Sequence, residues 1–292
     1  MREKHNYGGV LSKEQLDFYD REGYLVLEDL LSDQDMEAPR QAMNEKVSMI
    51  ADNLFAEGLI TDKLEQLPFP NRLGELFTGL TDKDFLKYGR GWRDRIPGYF
   101  HLMSNEKILD AVESLIGNEI FSSPVYNVRP KIPGVAAGAV PWHQDKSYWP
   151  NANANPVITV WISFVDATLE NGCLHLKPRT HGERVMEWNK ETYTGTGYTA
   201  LHEEDLAKWE TLPLPVKAGT AILFNDRLLH MSTPNKSMGV RWSVDLRYQP
   251  TDQDPILQHG VGFLARSEKV PQKVVNLEDW LAEISEHAVQ EV

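Results

Sequence analysis

The chain has 292 residues, 41% of them hydrophobic and 25% charged, which is enough for one substantial core and typical of a folded globular protein. Its formal net charge of −13 argues against sequence-independent nucleic-acid binding, because such binding needs clustered Lys and Arg. The longest apolar stretch, residues 156–165, has about half the length of a membrane span, and the N-terminus lacks the apolar region of a secretory signal. We therefore expect a single cytoplasmic domain with neither nucleic acid nor membrane as a partner.

Two capped helices are predicted near the N-terminus. Ser12 followed by Gln15 has the spacing of a capping box, and Gly23 is placed to end the short helix that follows. Ser32 can cap a second, longer helix that reaches about Glu57. The first part of the chain is therefore expected to be mainly helical.

The region up to residue 117 adds mixed signals. Residues 24–31 form a strand-like run between the two helices, and residues 59–98 are predicted to be irregular with short helices. Ser104 is positioned to cap another helix, in which apolar residues recur at helical spacing until Gly117. These signals predict a helical flank over about residues 11–117.

After Gly117 the chain changes to short runs rich in Val, Ile, Thr, Phe and Trp, separated by Pro, Gly and Asn. The runs are residues 119–129, 157–165, 172–177, 214–217, 220–225 and 239–249. Many short strands separated by turns indicate an antiparallel jelly roll, so we expect a mainly β fold with a core over about residues 119–250. Residues 183–212 interrupt the strands as a lid or helical insert, and the tail over residues 251–292 is expected to contain a helix from 277 to about 289.

One His-x-Asp pair is a candidate for metal binding. Non-haem iron(II) oxygenases hold their metal with two His and one carboxylate on one side. Residues two apart in extended backbone point to the same side, so His143 and Asp145 could bind one metal ion. Chance gives about one His-x-acid pair in this composition and the chain has three, but those that begin at His181 and His202 lie in a turn and in a helix-like run. Only the first pair lies among aromatic residues at the entrance to the strand region.

A third metal ligand and a cation are predicted on two later elements. His230 follows the apolar run 221–225, and Arg241 comes eleven residues after it. A lone His at a strand end is usually structural, but the upstream His-x-Asp pair and the downstream Arg favour a metal ligand here. Arg241 can bind a carboxylate with two parallel hydrogen bonds.

The two faces of the last predicted strand differ in polarity. One face has Trp242, Val244, Leu246 and Tyr248, and the other has Arg241, Ser243, Asp245 and Arg247. We expect the apolar face to pack against the N-terminal helices, which turns the polar face toward the barrel interior. The run 157–164 repeats the pattern, with Thr159, Trp161 and Ser163 on its polar face. Together the two strands suggest a barrel whose interior is a binding site.

With these residues placed, the segment from about Leu11 to Pro250 resembles the phytanoyl-CoA dioxygenase family, which also includes ectoine hydroxylase. The resemblance depends on four motifs, which are Trp142-His-Gln-Asp145, Asn171-Gly-Cys-Leu174 with Pro178-Arg-Thr-His181, Ala218-Gly-Thr-Ala-Ile-Leu-Phe224 before His230, and the spacing from His230 through Ser232 to Arg241. It implies a double-stranded β-helix. It also implies that His143, Asp145 and His230 bind iron(II).

The resemblance further implies that 2-oxoglutarate chelates the metal while Arg241, assisted by Ser232, holds its distal carboxylate. Trp161 matches a family position close to the cosubstrate. The strand over residues 126–131 resembles one that contributes further polar contacts from Asn127 or Lys131, and which of Asn127, Arg129 and Lys131 points inward stays open. The expected reaction uses O₂ to hydroxylate an unactivated C–H bond of a small-molecule metabolite and releases succinate and CO₂. Desaturation, epoxidation or ring formation would use the same ligands.

The substrate itself is not specified by these motifs. Candidate contacts are Tyr126, Arg129, Trp142, Tyr148, Trp149, Ser163 and Asp245. The acidic balance and Asp245 favour a neutral or cationic molecule, whereas Arg129 and Arg247 would suit a carboxylate or acyl group. Two other classes of protein stay open, a metal-free jelly-roll binding module and a cupin-type hydrolase or isomerase that uses zinc or manganese. The oligomeric state is not indicated.

Overall fold

The structure is a computed structural model that describes residues 9–89, 92, 94–149, 156–192, 194–256 and 262–288. Its helices are α1 (Lys13–Glu22), α2 (Asp33–Ala56), α3 (Phe69–Leu76), α4 (Asp82–Tyr88), α5 (Pro97–Met103), α6 (Glu106–Ile116), α7 (Glu203–Leu206) and α8 (Leu277–Ala288). Its strands are β1 (Tyr24–Leu27), β2 (Ile120–Ser122), β3 (Asn127–Lys131), β4 (Val140–His143), β5 (Ile158–Ser163), β6 (Leu174–Lys177), β7 (Asn189–Lys190), β8 (Thr199–Ala200), β9 (Leu212–Leu214), β10 (Ala221–Asn225), β11 (Leu229–Ser232), β12 (Arg241–Pro250) and β13 (Phe263–Arg266). Among the described helices, none is both long and apolar enough to cross a membrane.

Two antiparallel sheets form the jelly roll that the sequence predicts. The larger sheet has the order β1-β10-β5-β12-β2-β13, and β3 also pairs with β12. The smaller sheet has the order β4-β11-β6-β9. β12 is long enough to pair with β5 along one edge and with both β3 and β2 along the other. This strand therefore connects most of the larger sheet.

The larger sheet packs against helices on one face and against the smaller sheet on the other. On the helical side, the ring of Trp242 stacks on Phe69 with 4.7 Å between centroids, and the Tyr248 hydroxyl donates to the Met103 carbonyl over 2.8 Å. On the opposite side, Trp161 packs in one cluster with Leu174 of the smaller sheet. The predicted orientation of β12 is confirmed, because its apolar face meets the helices and its polar face points between the sheets.

Local capping signals explain the helical flank. Ser12 and Ser32 both form complete capping boxes, and Gly23 ends α1 in the left-handed conformation at φ 83°. The prediction for Ser104 is wrong by one residue. The Asn105 side chain accepts hydrogen bonds from backbone N–H groups in the first turn of α6, while Ser104 is the C-cap residue that follows α5 and donates to the Phe100 carbonyl.

Two predicted element boundaries also change. β1 ends at Leu27 rather than at residue 31, because the chain then turns so that the Leu31 N–H reaches the Gly219 carbonyl over 3.0 Å. The run 214–217 is displaced, since β9 covers Leu212–Leu214 and Val216 forms only an isolated bridge to Ala167. Helix α8 is confirmed, although the predicted end at 289 lies outside the described residues.

The interrupting segment 183–212 is mainly a hairpin rather than a helical insert. It contains the two-stranded β7–β8 sheet and the four-residue helix α7 before it enters β9. Backbone hydrogen bonds hold it against the core, since the Leu201 N–H donates to the Trp142 carbonyl over 3.0 Å and the Thr199 N–H donates to the Tyr148 hydroxyl over 3.2 Å. The hairpin therefore lies beside the residues that follow β4.

Candidate active site

The pairing of β4 with β11 brings two histidines together. His143 and His230 are direct cross-strand partners in the smaller sheet. Gln144 continues the extended backbone beyond β4, so Asp145 projects to the same side as His143. One ligand atom from each of His143, Asp145 and His230 lies within 4.8 Å of the others, and all three residues are buried. Strand register and alternation thus produce the predicted cluster.

The two imidazoles present the same nitrogen to this cluster. The Nδ1 atoms of His143 and His230 lie 2.9 Å from the carbonyls of Pro141 and Leu228, which can only accept, so each Nδ1 carries the proton and each Nε2 has a free lone pair. The two Nε2 atoms lie 3.5 and 3.7 Å from Asp145 Oδ1. Burial, followed by the neighbouring His143, lowers the pKa of His230 to about 3 and keeps this imidazole neutral. Two imidazoles and one carboxylate are a donor set that fits iron(II).

The second oxygen of Asp145 is held by two donors. The Thr159 hydroxyl donates to Asp145 Oδ2 over 2.7 Å, and Arg247 Nη2 donates to the same atom over 2.9 Å. Burial alone would raise the pKa of Asp145, but Arg247 and the imidazoles keep it well below its usual range. With Oδ2 occupied, Asp145 has one oxygen, Oδ1, directed at the histidines.

Arg247 also belongs to a larger group of buried charges, which we call the paired-charge network: Asp145, Arg247, Asp245 and Arg129, with Asn127. Arg247 Nη1 and Arg129 Nε both donate to the Asp245 carboxylate, and the Asn127 amide donates to it over 2.8 Å. Burial opposes ionisation of Asp245, but the two guanidinium groups lower its pKa. Each charge in the network therefore has an opposite charge beside it.

Two other buried cations, Lys131 and Arg241, have no such partner; we call them the basic pair. They are cross-strand neighbours on β3 and β12. Arg241 Nη1 donates to the Ser243 hydroxyl over 2.6 Å, and Lys131 Nζ donates to Ser232 Oγ over 2.7 Å and to the Thr233 carbonyl. Among the described residues neither forms an ion pair, and the Arg241 Nε–H has no hydrogen-bond acceptor.

Burial lowers the pKa of both members of the basic pair, as expected for cations without a counter-ion. Burial, followed by the charge of Arg129, lowers the pKa of Arg241 to about 10. Burial, followed by the charge of Arg241, brings the pKa of Lys131 well below its usual range. A buried cation without a counter-ion is unfavourable, so this pair is suited to an anionic ligand.

Gly172 makes room for the basic pair. Its φ of +84° is left-handed, and a Cβ at this position would lie 2.3 Å from the Thr233 carbonyl oxygen and 2.9 Å from Lys131 Cδ. Glycine is therefore required both by the turn and by the close approach. This contact gives a structural reason for the Asn171-Gly172 motif.

A cavity of about 410 Å³ adjoins these groups and contains Arg129, Lys131, Asp145 and Arg241 in its wall. A second pocket of about 30 Å³ lies between the two sheets beside His143 and His230. Tyr148, Trp149 and Tyr198 complete the polar and aromatic side of the large cavity. Its apolar side includes Phe85, Leu86, Trp92 and Val125. The arrangement can therefore accommodate a small molecule next to the candidate metal ligands.

Three of the candidate substrate contacts lie outside the two cavities. The Tyr126 hydroxyl donates to the Asp94 carbonyl over 2.9 Å on the helical side, and the Ser163 hydroxyl donates to the Val165 carbonyl over 2.7 Å. Trp142 precedes His143 in β4 and so lies on the opposite face, where Lys177 Nζ is 4.7 Å from its ring centroid. None of the three lines either cavity.

The open question about β3 has a simple answer. Asn127, Arg129 and Lys131 are two residues apart, so all three share the inner face, opposite Asp245, Ser243 and Arg241. The sequence contained this information in the alternation of the strand. Sequence reasoning gave no role to Thr159 beyond its face, and it missed Tyr198, which no periodic pattern in the segment 183–212 could have indicated.

Comparisons with known proteins agree with this geometry. A family model described as phytanoyl-CoA dioxygenase matches residues 19–243, which is most of the chain. The chain is 29% identical over 254 residues to phytanoyl-CoA dioxygenase domain-containing protein 1 of Danio rerio, and the match covers 78% of this chain and 86% of that protein.

Solved structures show the same fold at lower identity. SnoK, a non-haem α-ketoglutarate-dependent carbocyclase from nogalamycin biosynthesis, superposes with a TM-score of 0.58 at 21% identity, covering 86% of this chain and 88% of SnoK. EctD from S. alaskensis, solved with 2-oxoglutarate and 5-hydroxyectoine, superposes with a TM-score of 0.55 at 21% identity, covering 86% of this chain and 80% of EctD. The chain therefore belongs to the phytanoyl-CoA dioxygenase family of 2-oxoglutarate-dependent non-haem iron oxygenases.

Proposed function

We propose that the chain hydroxylates a C–H bond of a small-molecule metabolite, with iron(II) bound by His143, Asp145 and His230. The observation that carries the proposal is the convergence of these three buried side chains beside the Arg241 guanidinium, which has no counter-ion among the described residues. Bound iron and 2-oxoglutarate would supply the activation of O₂ and the oxidation of the C–H bond, with succinate and CO₂ as products. The protein residues would orient these groups and exclude water.

The basic pair is the proposed site for the distal carboxylate of 2-oxoglutarate. Arg241 lines both cavities, and a guanidinium can hold a carboxylate with two parallel hydrogen bonds. Trp161 supports it from one side, with 5.4 Å between the Arg241 Cζ and the ring centroid. The Ser232 hydroxyl accepts from Lys131 Nζ over 2.7 Å, so we propose that it assists Arg241 through Lys131. Ser232 would therefore act by positioning Lys131.

We propose that Asn127 supports the cosubstrate site from its place beside Asp245. Its side-chain amide is bound to Asp245, so it supports the paired-charge network. Tyr148 and Trp149 remain candidates for substrate contact, because both line the large cavity and the Tyr148 ring lies 5.6 Å from that of His143. Asp145 supplies a carboxylate to the metal cluster, which leaves no vacancy there for a halide and favours hydroxylation over halogenation.

The test is succinate formation by iron-loaded protein under O₂, with His143→Ala as the matched variant. We expect stoichiometric iron(II) binding and 2-oxoglutarate-dependent succinate production, both lost in the variant. Iron binding without any consumption of 2-oxoglutarate would contradict the proposal and favour a hydrolase or isomerase. Failure of the natural chain to bind iron would favour a metal-free binding module.

Product analysis distinguishes hydroxylation from the other outcomes of the same ligand set. SnoK is a carbocyclase, so ring closure is one reaction known on this fold. A product heavier than the substrate by one oxygen atom from ¹⁸O₂, with a new C–OH group in its NMR spectrum, would support hydroxylation, whereas the same mass increase with an epoxide ring would indicate epoxidation. A product that has lost two hydrogens without gaining oxygen would instead indicate desaturation or ring formation.

A further inference from the structure

We propose that the substrate is a small molecule with an apolar body and a carboxylate, and that Arg129 binds this carboxylate at the wall of the large cavity. The inference deepens the proposed oxygenase function and rests on it. It follows from three features of the cavity. Its carboxylates already have hydrogen-bond donors, its walls have more cations than carboxylates, and Arg129 is accessible from its open part.

No carboxylate of the cavity is available to bind a cationic substrate. Among the described residues that line the two pockets, the carboxylates are Asp145 and Asp245. Asp245 accepts from Arg129, Arg247 and Asn127, which leaves its oxygens surrounded by donors. Asp145 has one oxygen bound by Thr159 and Arg247 and the other directed at the two histidines. In the sequence analysis, Asp245 was one reason to expect a neutral or cationic substrate. Because its oxygens are already surrounded by donors, Asp245 does not support that alternative.

The cavity has more cations than anions. Arg129, Lys131, Arg241 and Arg247 contribute four positive groups to the described walls, against the two carboxylates. Iron(II) and the two carboxylates of 2-oxoglutarate carry equal and opposite charge, so their binding leaves this excess unchanged. One positive charge remains even if Lys131 is neutral. A buried excess of this sign favours an anionic substrate over a neutral or cationic one.

Of these four cations, Arg129 is the one whose side chain is accessible from the open part of the cavity. Its side chain is 26% exposed, compared with 4% for Arg247. Its Nε and Nη2 face Asp245, while Nη1 lies 3.5 Å from the Tyr198 hydroxyl on the hairpin segment. Arg241 and Lys131 are deeper, and we have proposed that they bind the cosubstrate. A substrate anion would therefore meet Arg129 first.

Two phenol groups could complete the carboxylate site. The Tyr148 hydroxyl accepts from the Thr199 N–H and lines the same cavity as Arg129, so it could turn its proton toward a carboxylate oxygen there. Tyr198 already contacts Arg129, and a carboxylate oxygen placed between them would bind both. The apolar wall formed by Phe85, Leu86, Trp92 and Val125 lies in the same cavity and would contact the body of the molecule. This combination describes an amphiphilic monocarboxylate.

Matched probes test the sign of the preferred charge. The full chain is loaded anaerobically with iron(II) and saturating 2-oxoglutarate, and hexanoate, octanoate and 3-phenylpropanoate are titrated beside the primary amide and the amine of each skeleton. Binding is measured by calorimetry and by the change in the charge-transfer absorption of the iron–2-oxoglutarate complex. We expect the carboxylates to bind at least about tenfold more tightly than their amides, as for a hydrogen-bonded charge pair, and the amines to bind most weakly.

Variants then assign the preference to Arg129. Arg129→Gln should bind acid and amide about equally, and Arg129→Lys should keep part of the preference because it keeps the charge. Arg21→Gln is the control, since Arg21 is an exposed residue of α1 that pairs with Glu22 far from the cavity. Should Arg129→Gln fail to fold, Tyr198→Phe replaces it, with an expected several-fold loss of carboxylate affinity.

The outcomes separate this inference from the proposed function. Equal binding of acids and amides, preference for amines, binding of no probe at all, or an unchanged preference in the Arg129 variants would overturn the inference. In each of those cases succinate formation would leave the oxygenase function standing. Failure to form the charge-transfer complex with 2-oxoglutarate would instead overturn the function itself, and this inference with it.

Discussion

The two ends of the inner face of β12 differ in whether their buried charged side chains form ion pairs. At one end, Arg241 lies beside Lys131 and neither forms an ion pair among the described residues. At the other end, Asp245 and Arg247 are bound to each other and to Arg129 and Asp145. Arg241, Asp245 and Arg247 lie on one strand and are similarly buried, so their position in the sequence alone does not account for the difference.

This difference in ion pairing separates a part of the interior that is structural from a part that is suited to binding a ligand. A buried charge without a counter-ion is unfavourable, so the basic pair between the sheets is suited to a ligand that supplies the counter-ion. Each charge of the paired-charge network already has an opposite charge beside it before any ligand binds, and Arg247 holds Asp145 in place. The basic pair is incomplete and matches a dianionic cosubstrate. Substitutions at the two ends should therefore change different properties.

Arg247→Met is expected to have the largest effect, and the effect should be on stability. Removal of one partner leaves Asp145 and Asp245 as buried carboxylates with fewer counter-ions, which typically costs about 3–5 kcal/mol. The measurement is urea unfolding of the metal-free protein, so that iron binding does not contribute. A loss below about 1 kcal/mol, the usual worth of an exposed ion pair, would show that the network does not stabilise the fold.

Arg241→Met tests the other end and should mainly affect 2-oxoglutarate binding. Loss of a buried charge partner costs about 2–5 kcal/mol in binding, so the Kd of the iron-loaded protein for 2-oxoglutarate should rise from about thirtyfold to several thousandfold. The free energy of unfolding of the metal-free variant should stay constant or increase, because an uncompensated buried cation is removed. If this variant unfolds as easily as Arg247→Met, the two ends do not differ in the way described.

The contrast between the ends also shows how far the sequence could predict the site. The metal cluster was predictable, because His143 and Asp145 are two apart in extended backbone and the spacing of His230 and Arg241 resembles a known family. The orientation of β12 was predictable from its alternation. The pairing of Asp245 with Asn127 and Arg129 was not, because these two donors come from β3 through a register that places Asn127 opposite Asp245.

Errors at individual residues have two different origins. The exclusion of Trp142 from the cavity follows from alternation within β4, so it could have been deduced once His143 was assigned inward. Tyr198 could not have been found, because it reaches Arg129 from a hairpin that has no periodic pattern. Long irregular segments contribute to a pocket through their tertiary position, which local sequence does not encode.

Lys131→Met is expected to have an intermediate effect at the unpaired end. The lysine is the second donor of the basic pair, and one hydrogen bond to a charged group contributes about 1.5 kcal/mol or more, so 2-oxoglutarate affinity should fall about tenfold. Ser232→Ala should lower the affinity less, since Ser232 acts through Lys131. An effect of Ser232→Ala that persists in the Lys131→Met background would contradict this route and favour a direct contact.

Thr159→Val is expected to have the smallest effect, and it tests the link between the paired end and the metal. The change keeps the shape of the side chain but removes the hydroxyl that donates to Asp145 Oδ2 over 2.7 Å. Loss of a partner that orients a metal ligand usually weakens metal binding about 10- to 100-fold, and we expect the lower limit because Arg247 still holds the same oxygen. Competition with an iron(II) chelator measures the change.

Thr220→Val is the matched control, because among the described residues the buried Thr220 hydroxyl has no hydrogen-bond partner, so its removal should leave iron affinity unchanged. Equal losses in both variants would mean that the hydroxyl of Thr159 does not orient Asp145, and that Arg247 alone connects the network to the metal.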